Sequence, residues 1–129
     1  MKTDFGAALM AAPPVAAAVT AATMDETNKL AFHRAARAYL KALAKELGLP
    51  ATSYSIRSNL AGPAVAGEVV LHGEWLYVRI GDAAANGLGV LFRRCQGRQD
   101  YTGGINQWRM FADLADLPST ARWVRRVIT

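Results

Sequence analysis

Alternation of apolar and polar positions is clearest over Val65–Cys95. Successive side chains of a strand point to opposite faces of a sheet, so this alternation predicts half-buried strands. We place a two-residue hairpin turn at His72-Gly73, because glycine readily adopts the positive φ that such a turn requires. This register pairs Leu71 with Glu74, Val69 with Leu76, and Gly67 with Val78.

The predicted register separates the hairpin side chains into two sets. One face is apolar and is expected to form the core: Val65, Gly67, Val69, Leu71, Leu76, Val78 and Ile80. The other face mixes charged and aromatic residues: Glu68, Val70, Trp75, Tyr77 and Arg79. A slip of one residue would exchange the two faces, and the clean separation is the reason for choosing this register.

Apolar residues at three- and four-residue steps predict a helix over roughly Asp25–Leu47. Thr23 and Glu26 have capping-box spacing, and Gly48 stands where a C-terminal cap is expected. The apolar stripe comprises Phe32, Ala36, Tyr39, Leu40, Leu43 and Leu47. The opposite side carries the basic residues Arg34, Arg37, Lys41 and Lys45. These are either a solvated outer face or a stripe that contacts phosphates or an acidic partner.

Shorter segments complete the predicted fold. Strands are expected over Thr52–Ser58 and Leu88–Cys95, and helices over Ile105–Leu114, with Asn106 as its N-cap, and Thr120–Ile128. Short connections between strands imply antiparallel pairing. We therefore predict an α+β fold with an N-terminal amphipathic helix, a four-stranded antiparallel sheet and one or two C-terminal helices.

Residues 1–24 are Ala-rich and low in complexity. We expect a flexible or loosely docked arm with a short helix over Phe5–Ala12, followed by a single α+β domain over residues 25–129. Ala21-Ala22 resembles a signal-peptide cleavage site, but Asp4 and Pro13-Pro14 disagree with the positive start and apolar region of a signal peptide. A cytoplasmic protein is therefore expected.

Charge and cysteine content narrow the function classes. The 15 Lys and Arg residues exceed the 10 Asp and Glu residues, giving a net charge of +5. This excess favours nucleic acid or an acidic protein as partner. Cys95 is the only cysteine, so neither an internal disulfide nor a Cys/His zinc cluster is expected. No apolar run is long enough to predict a membrane span, and no cofactor is indicated.

The polar face of the sheet is the first candidate site. Arg57 and Arg93, on the flanking strands, are expected to join Trp75, Tyr77 and Arg79 there. Aromatic rings flanked by arginines on an open sheet suit stacked bases and phosphates. Alternatively, the C-terminal helices or a second copy in a homodimer cover this face, and its rings are ordinary packing residues.

The Arg-rich loop that follows is the second candidate site. Arg93, Arg94 and Arg98 precede Tyr101 and the Gly103-Gly104 pair. Guanidinium groups together with glycine backbone N–H groups could hold a phosphate or a carboxylate, although the P-loop spacing is absent. The alternative is that Asp100 pairs locally with one of these arginines.

A third candidate combines His72, either Glu68 or Glu74, and Arg93 on neighbouring strands. A base, an acid and a phosphate clamp are what a small ribonuclease needs. The alternative is an exposed histidine in a hairpin turn, and Cys95 has no nucleophile motif around it. We therefore assign no catalytic residue.

The stretches SYSIRSNLAGPAVAGEVVLHGEWLYVRI and GVLFRRCQGRQDYTGGINQW resemble uncharacterised small proteins carried on proteobacterial plasmids and other mobile elements. The resemblance covers residues 33 to about 110 and implies an intracellular bacterial setting without an assigned activity. It raises the option of an inhibitor of a host defence complex, as anti-CRISPR proteins are. Many such inhibitors are acidic DNA mimics, and this basic chain departs from that pattern.

We therefore predict a small basic, non-enzymatic module that binds RNA or single-stranded DNA through the sheet face and the Arg-rich loop. The alternatives are a mobile-element inhibitor or adaptor that binds an acidic protein surface, and a small ribonuclease or toxin. No membrane partner is expected. The predicted binding residues are Arg57, Trp75, Tyr77, Arg79, Arg93, Arg94, Arg98, Tyr101, Arg34, Arg37, Lys41 and Lys45.

Overall fold

The structure is a computed structural model that describes residues 5–11, 26–60, 67–82, 88–101 and 103–129. The described helices are α1 (Phe5–Ala11), α2 (Glu26–Glu46) and α3 (Leu117–Val127). The described strands are β1 (Tyr54–Asn59), β2 (Glu68–Gly73), β3 (Leu76–Asp82), β4 (Leu88–Arg94) and β5 (Gln107–Arg109). Short 3₁₀ turns cover Ala51–Ser53 and Phe111–Leu114. The α+β class is confirmed, with five strands where four were predicted.

The strands form one antiparallel sheet in the order β1-β2-β3-β4-β5. The helix predicted over Ile105–Leu114 is wrong, because the chain pairs with β4 as β5 before its 3₁₀ turn. Gly104 makes this return: its φ is +86°, and a Cβ there would lie 2.1 Å from the carbonyl oxygen of Arg94. Backbone pairing with β4 thus prevails over the helical spacing of the apolar side chains.

The hairpin turn lies at Glu74-Trp75 rather than at His72-Gly73, because the β2–β3 ladder continues to the pair His72–Tyr77. Val69 pairs with Ile80, four residues beyond the predicted partner Leu76. A shift by an even number of residues leaves every side chain on its predicted face. The predicted pairing is therefore wrong, while the separation into an apolar and a polar face is right for the strand residues that the structure describes.

The core lies between the apolar face of the sheet and the helices. The sheet contributes the fully buried residues Val69, Leu71, Leu76, Val78, Ile80, Val90 and Phe92. Helix α2 contributes Phe32, Ala36, Tyr39, Leu40 and Leu43 from the predicted stripe. The predicted end of α2 is confirmed: Gly48 has a φ of +73°, and its N–H donates to the carbonyl oxygen of Lys45 (3.0 Å). Thr23 of the predicted capping box lies outside the described residues.

Helix α1, the short helix expected in the Ala-rich arm, is docked on the fold. Leu9 is fully buried in the core cluster. Gly6 approaches the backbone of Ala115 so closely that a Cβ would lie 2.0 Å from the Ala115 carbonyl oxygen. This segment is therefore packed rather than loose, and the rest of the predicted arm lies outside the described residues.

Helix α3 begins before the predicted Thr120, because Asp116 caps it. An Asp116 carboxylate oxygen accepts the N–H of Ser119 (3.1 Å), and Pro118 stands in the first turn. The Tyr39 hydroxyl of α2 donates to the Thr120 hydroxyl of α3 (3.2 Å), and burial raises the pKa of Tyr39 to about 12. The two helices thus close the core together. Among the described helices, none has the length and apolar character needed to cross a membrane.

Candidate nucleic-acid interface

The face of the sheet that points away from α2 and α3 is the candidate site, and we call it the open face. Two adjacent rows of cross-strand neighbours define it. The first row is Ser55, His72, Tyr77 and Arg93, and the second is Arg57, Val70, Arg79, Leu91 and Trp108. The described helices lie on the other side of the sheet. Among the described residues, this face is therefore covered by the side chains of its own strands and by the loop of residues 95–101.

Rings and guanidinium groups alternate across the open face. The Cζ atom of Arg93 lies 4.2 Å from the centre of the Tyr77 ring. The Cζ atom of Arg79 lies 5.7 Å from the Trp108 ring centre, and that of Arg57 lies 5.6 Å from the Tyr101 ring centre. Contacts of this kind contribute about 0.5–2 kcal/mol each, depending on how far they are removed from water. Cation–π pairs therefore contribute to the packing of the open face, alongside the buried aliphatic residues Val70 and Leu91.

Two rings of the open face are half exposed. Trp108 is 52% exposed and Tyr101 is 51% exposed, whereas Arg93 between them is buried. Exposed rings that are held by an arginine offer flat apolar surfaces to a planar ligand at little cost in side-chain order. These two rings stand at opposite margins of the face, one on β5 and one above β1.

His72 lies at the centre of this arrangement and is 2% exposed. It was expected to be exposed in the hairpin turn, but the longer ladder places it inside β2. The rings of Tyr77 and Tyr101 meet it edge-to-face at 5.2 and 5.0 Å. Its Nε2 lies 3.1 Å from the carbonyl oxygen of Gly97, so Nε2 carries the proton of the neutral ring.

Burial and the neighbouring arginine charges favour the neutral form of His72. Burial lowers its pKa below the ordinary value of 6.5, and the charges of Arg57 and Arg93 act in the same direction. The hydrogen bond to Gly97 and the charge of Asp100 oppose this shift. Among the described residues of the open face, the arginines therefore carry the positive charge.

The acid/base set proposed from the sequence is not brought together. Glu68 lies four residues from His72 on β2, which corresponds to about 13 Å at roughly 3.3 Å per residue. Its carboxylate lies 3.5 Å from Nε of Arg79 instead. Glu74 is exposed in the hairpin turn. Arg93 lies one strand beyond Tyr77, so neither glutamate joins His72 and Arg93 in a compact cluster.

The three arginines of the predicted phosphate loop point to three different places. Arg93 donates to the carbonyl oxygen of Gly103, Arg94 to that of Thr129 (3.4 Å) and Arg98 to that of Thr52 (3.2 Å). The carboxylate of Asp100 accepts the backbone N–H groups of Gln96 (3.0 Å) and Gly103 (2.7 Å), which orders the loop backbone. The loop therefore does not focus its arginines on one phosphate.

Trp75 is placed differently from its prediction. It lies in the hairpin turn and packs against the core cluster, because the turn falls at Glu74-Trp75. Trp108, which was expected in a helix, takes a place on the open face as the partner of Leu91. The Gly103-Gly104 pair, which permits a tight return into a strand, is the sequence signal that could have found it. The remaining predicted residues of the sheet face are on the open face, namely Arg57, Tyr77, Arg79 and Arg93.

The basic stripe of α2 forms a separate surface. Arg34, Lys41 and Lys45 are exposed on the outer side of the helix, while its apolar side packs on the core face of the sheet. Arg37 reaches the β1 margin, where it donates to the Ser58 hydroxyl (3.2 Å). The stripe and the open face are therefore on opposite sides of the sheet.

Metal-ligand chemistry is not indicated in the described ranges, where no three His, Cys, Asp or Glu side chains are grouped. Cys95 is buried, its thiol donates to the carbonyl oxygen of Gly73 (3.3 Å), and burial raises its pKa. A raised pKa keeps the thiol protonated and makes it a poor nucleophile. Cys95 is therefore a packing residue in this structure.

No protein-family model, curated protein or solved structure matches this chain. Its function is therefore inferred from the geometry and chemistry of the open face, and the resemblance to mobile-element proteins stays a prediction.

Proposed function

We propose that this protein is a small basic module that binds single-stranded nucleic acid, either RNA or single-stranded DNA, through the open face. One observation carries the proposal: Trp108 and Tyr101 are half exposed at the two margins of a sheet face, and each ring is held by an arginine. Such a surface accepts unpaired bases on the rings and phosphates on the guanidinium groups.

The rings suit single strands better than duplexes. In a duplex the base faces are already stacked on each other, whereas an unpaired base has a free face to offer. Stacking of one base on an aromatic side chain contributes about 1–3 kcal/mol and tolerates any base. The proposal therefore predicts modest sequence preference.

The charge of the open face supports an anionic ligand. Arg57 and Arg79 lie in one row across the sheet, and among the residues that the structure describes Arg79 forms an ion pair on this face, with Glu68 at 3.5 Å. The chain as a whole carries a net charge of +5. Binding should therefore weaken as salt concentration rises, because the release of counterions from the phosphates contributes less free energy at high salt.

The test is fluorescence anisotropy of a labelled oligouridine, of about 12 nucleotides since comparable sites cover roughly 4–16. Trp108→Ala should weaken binding by about 5- to 150-fold, which corresponds to the loss of one stacked base. Trp108→Phe should keep most of the affinity. Leu30→Ala is the control, because Leu30 is an exposed apolar residue on α2. Wild-type protein that does not bind, or Trp108→Ala that binds like wild type, would contradict the proposal.

A second candidate function is protein binding of the inhibitor or adaptor kind. It is favoured by Ile105 and Met110, which flank the edge strand β5 and are 78% and 74% exposed. Exposed apolar residues beside an open sheet edge are typical of surfaces that bind another protein. A protein captured after nuclease treatment, and lost from an Ile105→Ser/Met110→Ser variant that still binds oligouridine, would support this candidate.

A further inference from the structure

A groove opens between β1 and the loop of residues 95–101, at the Tyr101 margin of the open face. Its volume is about 380 Å³, within the range of about 300–1,000 Å³ that is typical of small-molecule sites. The lining residues are Ser55, Arg57, His72, Arg98, Gln99 and Tyr101. The groove thus has room for more than an inorganic anion.

The lining of the groove has a uniform chemistry. Each of the lining side chains carries a hydrogen-bond donor, and none of them is a carboxylate. The nearby Asp100 directs both carboxylate oxygens to backbone N–H groups of its own loop. Two guanidinium groups therefore line the groove together with the neutral donors of Ser55, Gln99 and Tyr101, and no carboxylate is among the described lining residues, which favours an anion with several acceptor oxygens.

Arg98 is held in place before any ligand arrives. One of its N–H groups donates to the carbonyl oxygen of Thr52 (3.2 Å), which ties the loop to the start of β1. A guanidinium has five N–H donors, so this anchor leaves others for an anion. Arg57, from the second row of the open face, stands over the Tyr101 ring on the other side. A ligand in the groove would meet both charged groups, of which Arg98 is anchored by its hydrogen bond to Thr52.

We propose that this groove binds the terminal phosphate monoester of a nucleic-acid strand, with the adjoining base on Tyr101. This inference rests on the proposed function and specifies that the open face prefers a phosphorylated strand end. A terminal monoester carries up to two negative charges, against one for an internal phosphodiester, and therefore gains more from two arginines. The groove lies at the β1 margin of the face, where a strand that crosses from Trp108 would end.

His72 supplies a spectroscopic signal for occupancy of the groove. Its surroundings are Arg57 from β1, Tyr77 from β3, Arg93 from β4, and Asp100 and Tyr101 from the loop. The two arginines disfavour the imidazolium form, and Asp100 favours it. A bound phosphate adds negative charge beside the ring and should move the pKa of His72 back towards its ordinary value.

The test compares three oligouridines that differ only at their ends: both hydroxyl, 5′-phosphate and 3′-phosphate. One phosphorylated form should bind about tenfold tighter than the hydroxyl form, as expected for a charge-assisted contact. Arg98→Gln should abolish this preference, and Arg98→Lys should retain part of it. Arg94→Gln, which removes the same charge from a residue outside the groove, should leave the preference unchanged.

Equal affinity for all three ends would overturn the inference, as would a preference that survives in Arg98→Gln. If no oligouridine binds, the proposed function fails, and the groove is then judged by NMR with uridine 5′-monophosphate and uridine. Shifts of the His72 and Tyr101 ring signals with the monophosphate alone would support the phosphate site. An absence of shifts, or equal shifts with uridine, would contradict it.

Discussion

The two faces of the same sheet exclude water in different ways. On the core face, aliphatic residues such as Val69 and Leu71 are covered by helices and are fully buried. On the open face, Val70 and Leu91 are almost as buried, yet arginine and aromatic side chains of the sheet itself cover them. Low exposure alone therefore does not distinguish a core from a functional surface.

The difference lies in what the covering groups can do. A helix on the core face is a fixed part of the fold, and removal of a side chain beneath it leaves a void. Long side chains such as Arg79 can move aside, and water can take their place. The core face therefore contributes most to the free energy of unfolding. The open face contributes less, and its long side chains can move aside to make room for a ligand.

The largest expected effect comes from Leu71→Ala on the core face, compared with Leu91→Ala on the open face. Leu71→Ala should lower the free energy of unfolding by about 3–5 kcal/mol, because helices prevent the cavity from collapsing. Leu91→Ala should lower it by about 1–2 kcal/mol, since Arg79 and Trp108 can settle into the space. Urea denaturation of both variants measures the difference. Equal losses would show that the open face is packed as a second core.

A smaller effect is expected for Arg93, the buried guanidinium of the open face. Arg93→Ala should lower the free energy of unfolding by about 1–3 kcal/mol, because the Gly103 carbonyl loses its donor and Tyr77 loses its cation. Arg93→Lys should recover only part of this, since an ammonium group lacks the planar shape. The exposed neighbour Arg94 is the control, and Arg94→Ala should change unfolding by less than about 0.5 kcal/mol. Similar losses of unfolding free energy at both positions would contradict a structural role for Arg93.

The pH dependence of stability should report on His72. Burial places the pKa of His72 in the folded protein below its ordinary value of 6.5. The unfolded chain therefore binds more protons in this window, so stability is complete above about pH 6.5 and decreases as the pH falls towards the folded-state pKa. Thermal melts at pH 7 and pH 5 should differ less for His72→Gln than for wild type. An unchanged difference would assign the pH dependence to other groups.

The smallest expected effect is on the core side, where the Tyr39 hydroxyl meets Thr120. Tyr39→Phe should lower the free energy of unfolding by about 0.5–1.5 kcal/mol, because the Thr120 hydroxyl keeps its bonds to the carbonyl oxygens of Asp113 (3.2 Å) and Asp116 (3.1 Å). Oligouridine affinity should be unchanged, since Tyr39 lies on the core side of the sheet. Denaturation and anisotropy on the same variant check both points.

The sequence was informative where periodicity extends over many residues. The long stripe of α2 predicted the helix, its buried face and its end at Gly48. The two faces of the sheet were also predicted, although the hairpin register was not. An even shift of register preserves the faces, so the pattern of Val69 and Leu71 could not locate the turn.

Short and non-local features escaped prediction. Strand β5 has only three residues, too few for a period, and it exists because β4 offers a backbone partner. Trp108 was therefore assigned to a helix, and Trp75 to a face that it does not occupy. The burial of His72 likewise depends on Tyr101, which is distant in sequence. Such contacts follow from the assembled sheet and leave no local pattern in the chain.

An NMR chemical-shift map of the protein titrated with oligouridine tests most directly whether the open face, and not the outer side of α2, is the binding surface. The proposed function predicts that the largest shifts fall on the open face, at the Trp108 indole N–H and at the side chains of Arg57 and Arg79. The outer side of α2, at Arg34 and Lys41, should remain unperturbed. Shifts confined to α2, or no shifts at saturating oligouridine, would contradict the assignment of the open face as the binding surface.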